Sequence, residues 1–438
     1  MTHRWPQILP GGTAVLFTEN SSLTDFSAAN IDVVTLRDGK RKTLVHGGTF
    51  GRFLYVDGKP GYLAFIRNST LYTVAFDRDS LQTRGTPVPV LEHVGYNWNS
   101  GSAQFDFSQT GTLVYRSGMA DITDLDIVQW MNRDGNTQPL LTKPGRYFYP
   151  HLSPDNQRLA VEIADKGSRD IWIYDWKRDL MTRLTFDAAG SANMNPLWSP
   201  DGRHIIFAGK GGMYSILTNG AGKPQRLTES ETPQLPYSIT RNGRRLALME
   251  QLVGGGISVW TMAIQFSGSG VLGGKPEAYL QTSFDVRYPA LSPDGNWLAY
   301  TSNESGIYEV YVRAFPNPGG KWQISSGGGA YPVWSPNGRE LLFRSLDSRF
   351  MVVSYAPEGE SFVADKPRLW SERRVLDSVV GQGAFDLASD RRRVIMLAPV
   401  ETERRTAKND AIFLENFLDE VRRVIDHLKS SFSELPPV

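Results

Sequence analysis

The chain has 438 residues, 40% hydrophobic and 21% charged, which is enough apolar material for a large core and excludes disorder as its main state. Its 47 basic and 46 acidic side chains leave a net charge of +1, which excludes a strongly basic nucleic-acid binder. The absence of cysteine excludes disulfides, thiolate metal sites and a cysteine nucleophile, and 42 glycines with 26 prolines point to many short strands and turns.

The N-terminal Met1-Thr2-His3-Arg4-Trp5-Pro6 carries no apolar run and no small-residue cleavage site, so no export signal is expected, and a start truncated from a longer protein fits as well. Trp5-Pro6-Gln7-Ile8-Leu9-Pro10-Gly11-Gly12 then precedes an apolar run, Ala14-Val15-Leu16-Phe17. The same two-part pattern returns at Phe53 with Gly61-Tyr62-Leu63-Ala64-Phe65, and at Phe105-Asp106-Phe107 with Leu113-Val114-Tyr115.

From Tyr149 the pattern sharpens. Tyr149-Pro150-His151-Leu152-Ser153-Pro154-Asp155-Asn156 precedes Arg158-Leu159-Ala160-Val161. Near copies begin at Asn195-Pro196, Tyr288-Pro289 and Tyr331-Pro332, each running into Ser-Pro-Asp-Gly or Ser-Pro-Asn-Gly and a second apolar run. Looser copies begin at Pro236 and Phe385. The well-marked starts at 149, 196, 236, 288 and 332 are 40 to 52 residues apart, the length of one four-stranded propeller blade. Within each repeat the residues before Ser-Pro predict a buried inner strand. Pro-Asp-Gly predicts the hairpin turn, with proline presetting φ, aspartate accepting local N–H groups and glycine supplying φ > 0. Thr182-Arg183-Leu184-Thr185 and Gln225-Arg226-Leu227-Thr228 predict outer strands.

The predicted fold is therefore an all-β propeller over residues 1–410, followed by a closing strand and helix over 411–438. The count of inner-strand starts suits eight blades, with nine, or a six-bladed ring preceded by three further blades, as alternatives. The C-terminal helix follows from Asn416 as N-cap, Asp419 and Glu420 in the first turn, and Leu414, Phe417, Leu418, Val421, Val424, Ile425 and Leu428 along one face. Leu246–Phe266, the most apolar stretch, is interrupted by Glu250, Gln251 and three glycines and is not expected to enter a membrane.

These repeats resemble the WD-like propeller repeats of the TolB type, over nearly the whole chain. A narrower resemblance, carried by His3–Gly12, Gly61–Phe65, Gly85-Thr86-Pro87-Val88-Pro89-Val90 and Asn416-Phe417, is to the C-terminal sensor propeller of bacterial serine/threonine kinases. It implies a sensor part lying outside the membrane, periplasmic or extracellular. The Val-Ala-Ile-Lys strand, His-Arg-Asp loop and Asp-Phe-Gly of the kinase itself are absent, so no kinase activity and no catalytic residue carry over.

Chemical motifs are few. Gly268-Ser269-Gly270-Val271-Leu272-Gly273 matches a dinucleotide pattern but has no helix after it, so it reads as a loop. The histidines show no zinc spacing, and His151 and His204 occupy different places in their blades, so packed histidines are the simpler reading. No cofactor, metal or catalytic residue is expected. Blade starts combine arginine, an aromatic and proline at Arg4-Trp5-Pro6, Arg146 to Tyr149-Pro150, and Arg287-Tyr288-Pro289, with Tyr331-Pro332 giving the aromatic alone. Arg4, Trp5, Arg146, Tyr149, Arg287, Tyr288 and Tyr331 are thus the candidate ligand-binding residues, suited to a protein or a small anionic or peptidic ligand. The alternative is that the aromatics pack between neighbouring blades and the arginines pair with local carboxylates. The expected function is a non-catalytic sensor or scaffold. The rival is a propeller hydrolase or lyase with its site at the channel mouth, which a histidine with a carboxylate partner there would favour.

Overall fold

The computed structural model describes residues 2–20, 26, 29–56, 59–97, 100–116, 125–165, 168–186, 192–252, 256–267, 270–317, 319–358, 361–375, 385–400 and 411–433, with side chains from 426 onward left undescribed. Gly268 and Ser269 of the glycine motif and the side chain of His427 therefore lie outside the described residues. The chain divides into two compact units, Asp124–Val400 and Met1–Thr123 with Glu401–Val438, rather than at residue 410.

In the unit Asp124–Val400 the described strands make six antiparallel blades. Blade 1 joins Phe385–Leu387 and Arg393–Pro399 to Asp126–Asn132 and the first half of Thr137–Leu152, so both ends of the unit's chain share one sheet. Blade 2 begins in the second half of that long strand and continues through Arg158–Asp165, Ser168–Asp175 and Leu180–Arg183. Blade 3 has Met194–Trp198 as its inner strand, blade 4 Gln234–Ile239, blade 5 Val286–Leu291 and blade 6 Gly329–Trp334. The expected single eight-bladed ring gives way to the alternative of six blades, with four further sheets, one of them only two-stranded, where that alternative had three blades.

Apolar cores show that the six blades close on themselves. Val128 with Leu159 joins blades 1 and 2, and Ile173 with Trp198 joins 2 and 3. Leu197 with Leu248 joins 3 and 4, Ala247 with Leu298 joins 4 and 5, and Trp297 with Trp334 joins 5 and 6. Met131 and Phe385 with Leu342 and Phe350 join blade 6 back to blade 1. Every blade is buried on both faces, which is why its second strand reads as a continuous apolar run rather than an alternation.

The repeat turns are built by side-chain hydrogen bonds. Ser153 Oγ donates to Asp155 at 2.5 Å and accepts the Arg158 N–H at 2.9 Å. Ser199, Ser292 and Ser335 accept the N–H of His204, Trp297 and Glu340 at the same 2.9 Å. Burial pushes the Asp155 carboxyl up, but the Ser153 hydroxyl and the Gln157 N–H outweigh it and hold it below its ordinary value. The repeated aspartates are thus turn acceptors. Gly202, Gly295 and Gly338 take φ of +67°, +77° and +65°. Asn156 and Arg391 hold the same place in blades 2 and 1 at +50° and +61°, so two blades tolerate a side chain there.

In the other unit, two four-stranded sheets precede the two-stranded pair Tyr96–Asn97 with Ser102–Ala103 and a three-stranded sheet whose last strand is Ala411–Leu414. Leu16, Ile31 and Leu63 fill the space between the first two sheets. Ile66, Leu113 and Tyr115 lie in the next core together with Phe417, Leu418 and Val421 of the helix Phe417–Ser433. The C-terminal strand and helix therefore complete the N-terminal sheets. Lys59 fixes the first helical turn through Asp419 at 2.9 Å. No helix among the described residues is long and apolar enough to cross a membrane.

Candidate functional site

At every inner-strand start in Asp124–Val400 except that of blade 1, the register slips, as between Phe148 and His151 or Arg287 and Ala290. Tyr149, Asn195, Tyr288 and Tyr331 sit in these bulges with φ of +47°, +54°, +56° and +58°. A left-handed conformation costs a side-chain-bearing residue roughly 1–2 kcal/mol, and bulges re-aim side chains. Trp5 and Phe50 of the other unit share it at +57° and +55°, so the bulge belongs to the blade itself.

The inner strands wall a cavity of about 640 Å³ to which all six blades contribute. The turn residues Pro154, Pro200, Arg241, Pro293, Pro336 and Ser389 lie toward one end, and Tyr149, Asn195, Tyr237, Tyr288 and Tyr331 toward the other. The tyrosines of four blades meet there. Tyr288 and Tyr331 stack with centroids 4.2 Å apart, their hydroxyls at 3.3 Å, and Tyr237 meets Tyr288 edge-on at 5.7 Å. Each ring is half-buried and lines the cavity, and burial raises Tyr149 and Tyr237 well above the usual phenol value. The tyrosines thus floor a cup, and Tyr149 and Tyr237 stay neutral there. Beneath them, fully buried Glu162 pairs with Arg169 at 2.6 Å and accepts the Asn195 N–H at 3.3 Å.

One titratable pair stands in the wall. His151 of blade 2 places Nε2 3.9 Å from Asp386 Oδ2 of blade 1, beyond hydrogen-bond reach but within ion-pair distance. Burial raises the Asp386 carboxyl above its ordinary value, opposed by His151 and by the N–H groups of Leu152 and Leu387 at 2.9 and 2.8 Å. The serine hydroxyls of the wall are engaged. Ser153 serves its turn, Ser238 donates to the Pro289 carbonyl and accepts the Leu291 N–H, and Ser389 meets Asn156. No group of three metal-ligating side chains occurs among the described residues.

Of the residues singled out from the sequence, Tyr149, Tyr288 and Tyr331 line the cup. Arg287 turns to Asp285 at 2.7 Å and lies over the Tyr308 ring, and neither it nor Arg146 is part of the lining. Arg4 and Trp5 belong to the other unit, where both donate to the Ser100 carbonyl and Trp5 packs on Phe50. Sequence reasoning missed Tyr237, which follows its proline instead of preceding it, and Asn195, which replaces the aromatic. It also missed the pairing of His151 with Asp386, for which only a column-by-column comparison of the repeats gives a signal. The glycine motif ends as a strand, Gly270–Gly273, paired to Ile264–Ser267, with no helix to hold a phosphate.

No family model matches the chain. An uncharacterized peptidase, YuxL of Bacillus subtilis (strain 168), is 24% identical over 212 residues, covering 37% of this chain. The chain spans 31% of that relative's length. Similar solved structures include a putative TolB from Agrobacterium tumefaciens, at 15% identity over 64% of this chain and 99% of that one, with a TM-score of 0.47. An oligogalacturonate lyase in complex with manganese is 12% identical over 69% of this chain and 97% of that one, at 0.41. The β-propeller domain of Cps50 (Swd1) from Myceliophteria thermophila is 12% identical over 68% of this chain and 93% of that one, at 0.37. The blades and the cores between them, rather than these distant likenesses, make the chain a β-propeller protein.

Proposed function

We propose that the unit Asp124–Val400 is a non-catalytic binding module whose axial cup receives a small ligand or the end of a peptide. The observation that carries this reading is the cavity itself, about 640 Å³ in volume, walled by all six blades and floored by tyrosines. That volume falls in the range of ordinary ligand sites, and tyrosine supplies flat apolar area with a polar tip. The resemblance of the N-terminal segments to kinase sensor propellers supports a sensory use of such binding.

The rival reading, a hydrolase or lyase, is favoured by one observation, the His151–Asp386 pair. Against it, the wall serines are bonded into turns and strand edges, and Asp386 is engaged with two backbone N–H groups. The test is a thermal-shift screen of aryl and prolyl compounds and short peptides, run on the wild type and on a Tyr288→Leu, Tyr331→Leu double variant. A ligand at about a hundred times its Kd stabilises by roughly 2.7 kcal/mol, and that shift is expected to vanish in the variant. Shifts that survive in it would place the ligand elsewhere. Turnover of ester, peptide or uronate substrates that His151→Ala abolishes would establish the rival.

A further inference from the structure

The lining of the cup suggests more than its shape. Among the described residues that wall it Asp386 is the one carboxylate, and the tyrosine rings present electron-rich faces. The arginines that suited an anionic ligand are engaged elsewhere or outside the lining. Arg241, the remaining cationic guanidinium, stands exposed at the turn end.

We propose that the ligand of the cup is a cation: a protonated amine on an apolar body, its ammonium held by Asp386 and its body against Tyr149, Tyr237, Tyr288 and Tyr331. This rests on the binding reading above and specifies its chemistry. A carboxylate has about four acceptor sites, and Asp386 gives one to the Leu152 N–H and one to the Leu387 N–H. The remaining sites are available to an ammonium.

The repeat supplies a clean variant. Ser238 of blade 4 occupies the place of Asp386 and satisfies the next blade in the same way, accepting the Leu291 N–H at 2.9 Å as Asp386 accepts that of Leu152. Asp386→Ser therefore removes the charge while keeping the bond between inner strands. Calorimetric titration of the full chain with 2-phenylethylamine, 2-phenylethanol and phenylacetate varies charge on one aryl body. The amine is expected to bind at least tenfold more tightly than the alcohol, with phenylacetate weakest. Asp386→Ser should erase the preference for the amine over the alcohol while melting within a few degrees of the wild type, and Tyr331→Leu should weaken both.

Equal or tighter binding of phenylacetate overturns the proposal, as does an amine affinity unchanged in Asp386→Ser. Either result leaves the binding reading standing if Tyr331→Leu weakens whichever probe binds. Should Asp386→Ser fail to fold, Asp386→Asn keeps an acceptor oxygen and removes the charge, and an unchanged amine preference there overturns the proposal. Failure of all three probes to bind also overturns it. The binding reading falls with it only if the screen on the tyrosine double variant fails as well.

Discussion

His204 begins the second strand of blade 3, is 2% exposed, and has neither ring nitrogen hydrogen-bonded. It lies 6.1 Å from the ring of Phe266. Leaving a buried polar atom unpaired costs about 1–3 kcal/mol, so His204→Phe removes two such costs and keeps a planar ring. The slightly larger ring returns about 1 kcal/mol in crowding, and a net stabilisation of roughly 1–5 kcal/mol is expected near pH 8.

The pH dependence is the sharper part. Burial lowers the His204 pKa from the ordinary 6.5, with Asp201 raising it in part and Arg203 lowering it further. The unfolded chain then takes up a proton at a pH where the folded one does not. The contribution of His204 to stability is intact above about 6.5 and falls as pH drops below it, by at most about 1.4 kcal/mol per pH unit. The advantage of His204→Phe should therefore widen from pH 7.5 to pH 5. Denaturant titrations of both proteins across that range measure it. A difference that stays constant or narrows would mean that the imidazole is hydrated or paired in solution, and the reasoning fails.

Three further outcomes follow from packing. Gly295→Val, at φ +77°, should lower stability by about 1–2 kcal/mol, and denaturation at wild-type midpoint would contradict the left-handed turn. Trp334 Nε1 donates to the Ala290 carbonyl across blades 5 and 6 at 2.8 Å, so Trp334→Phe should cost about 1–3 kcal/mol in the ring unit, read by the same denaturation. Phe417→Ala empties a fully buried site in the core shared with Leu113 and Tyr115 and should cost about 3–5 kcal/mol. Unchanged melting would mean that the helix does not pack there.

The turns were legible because their causes are local: proline, aspartate and glycine in sequence dictate a hairpin, and the serine two residues before the aspartate completes it. Tyr149, Tyr288 and Tyr331 were legible because each precedes a proline at a strand start. Blade number was not, because closure depends on pairing Asp126–Asn132 with Arg393–Pro399, which no local signal marks. The arginines misled for a related reason. Arg287 stands beside Tyr288 in sequence, yet its partners, Asp285 and Tyr308, are set by the fold of blade 5.

In a repeat protein the positions that agree build the architecture, and the positions that differ are free to carry chemistry. The inner-strand place held by His151 shows this. Its counterparts are Leu197, Ser238, Ala290, Val333 and Asp386, and all of them face the same axis. Each inner strand has one unpaired edge, and its N–H groups need acceptors. Ser238 and Asp386 supply them for Leu291 and Leu152. Tryptophan works in the other direction, Trp198 and Trp334 donating to the carbonyls of His151 and Ala290 on the preceding blades. A serine suffices for the structural task, so the carboxylate at 386 exceeds what the edge requires. Burial raises its pKa, and a nearby histidine only partly offsets this. That surplus carboxylate, set among tyrosines and apolar side chains with His151 beside it, distinguishes this channel from a plain propeller axis and makes residue 386 the decisive position to change.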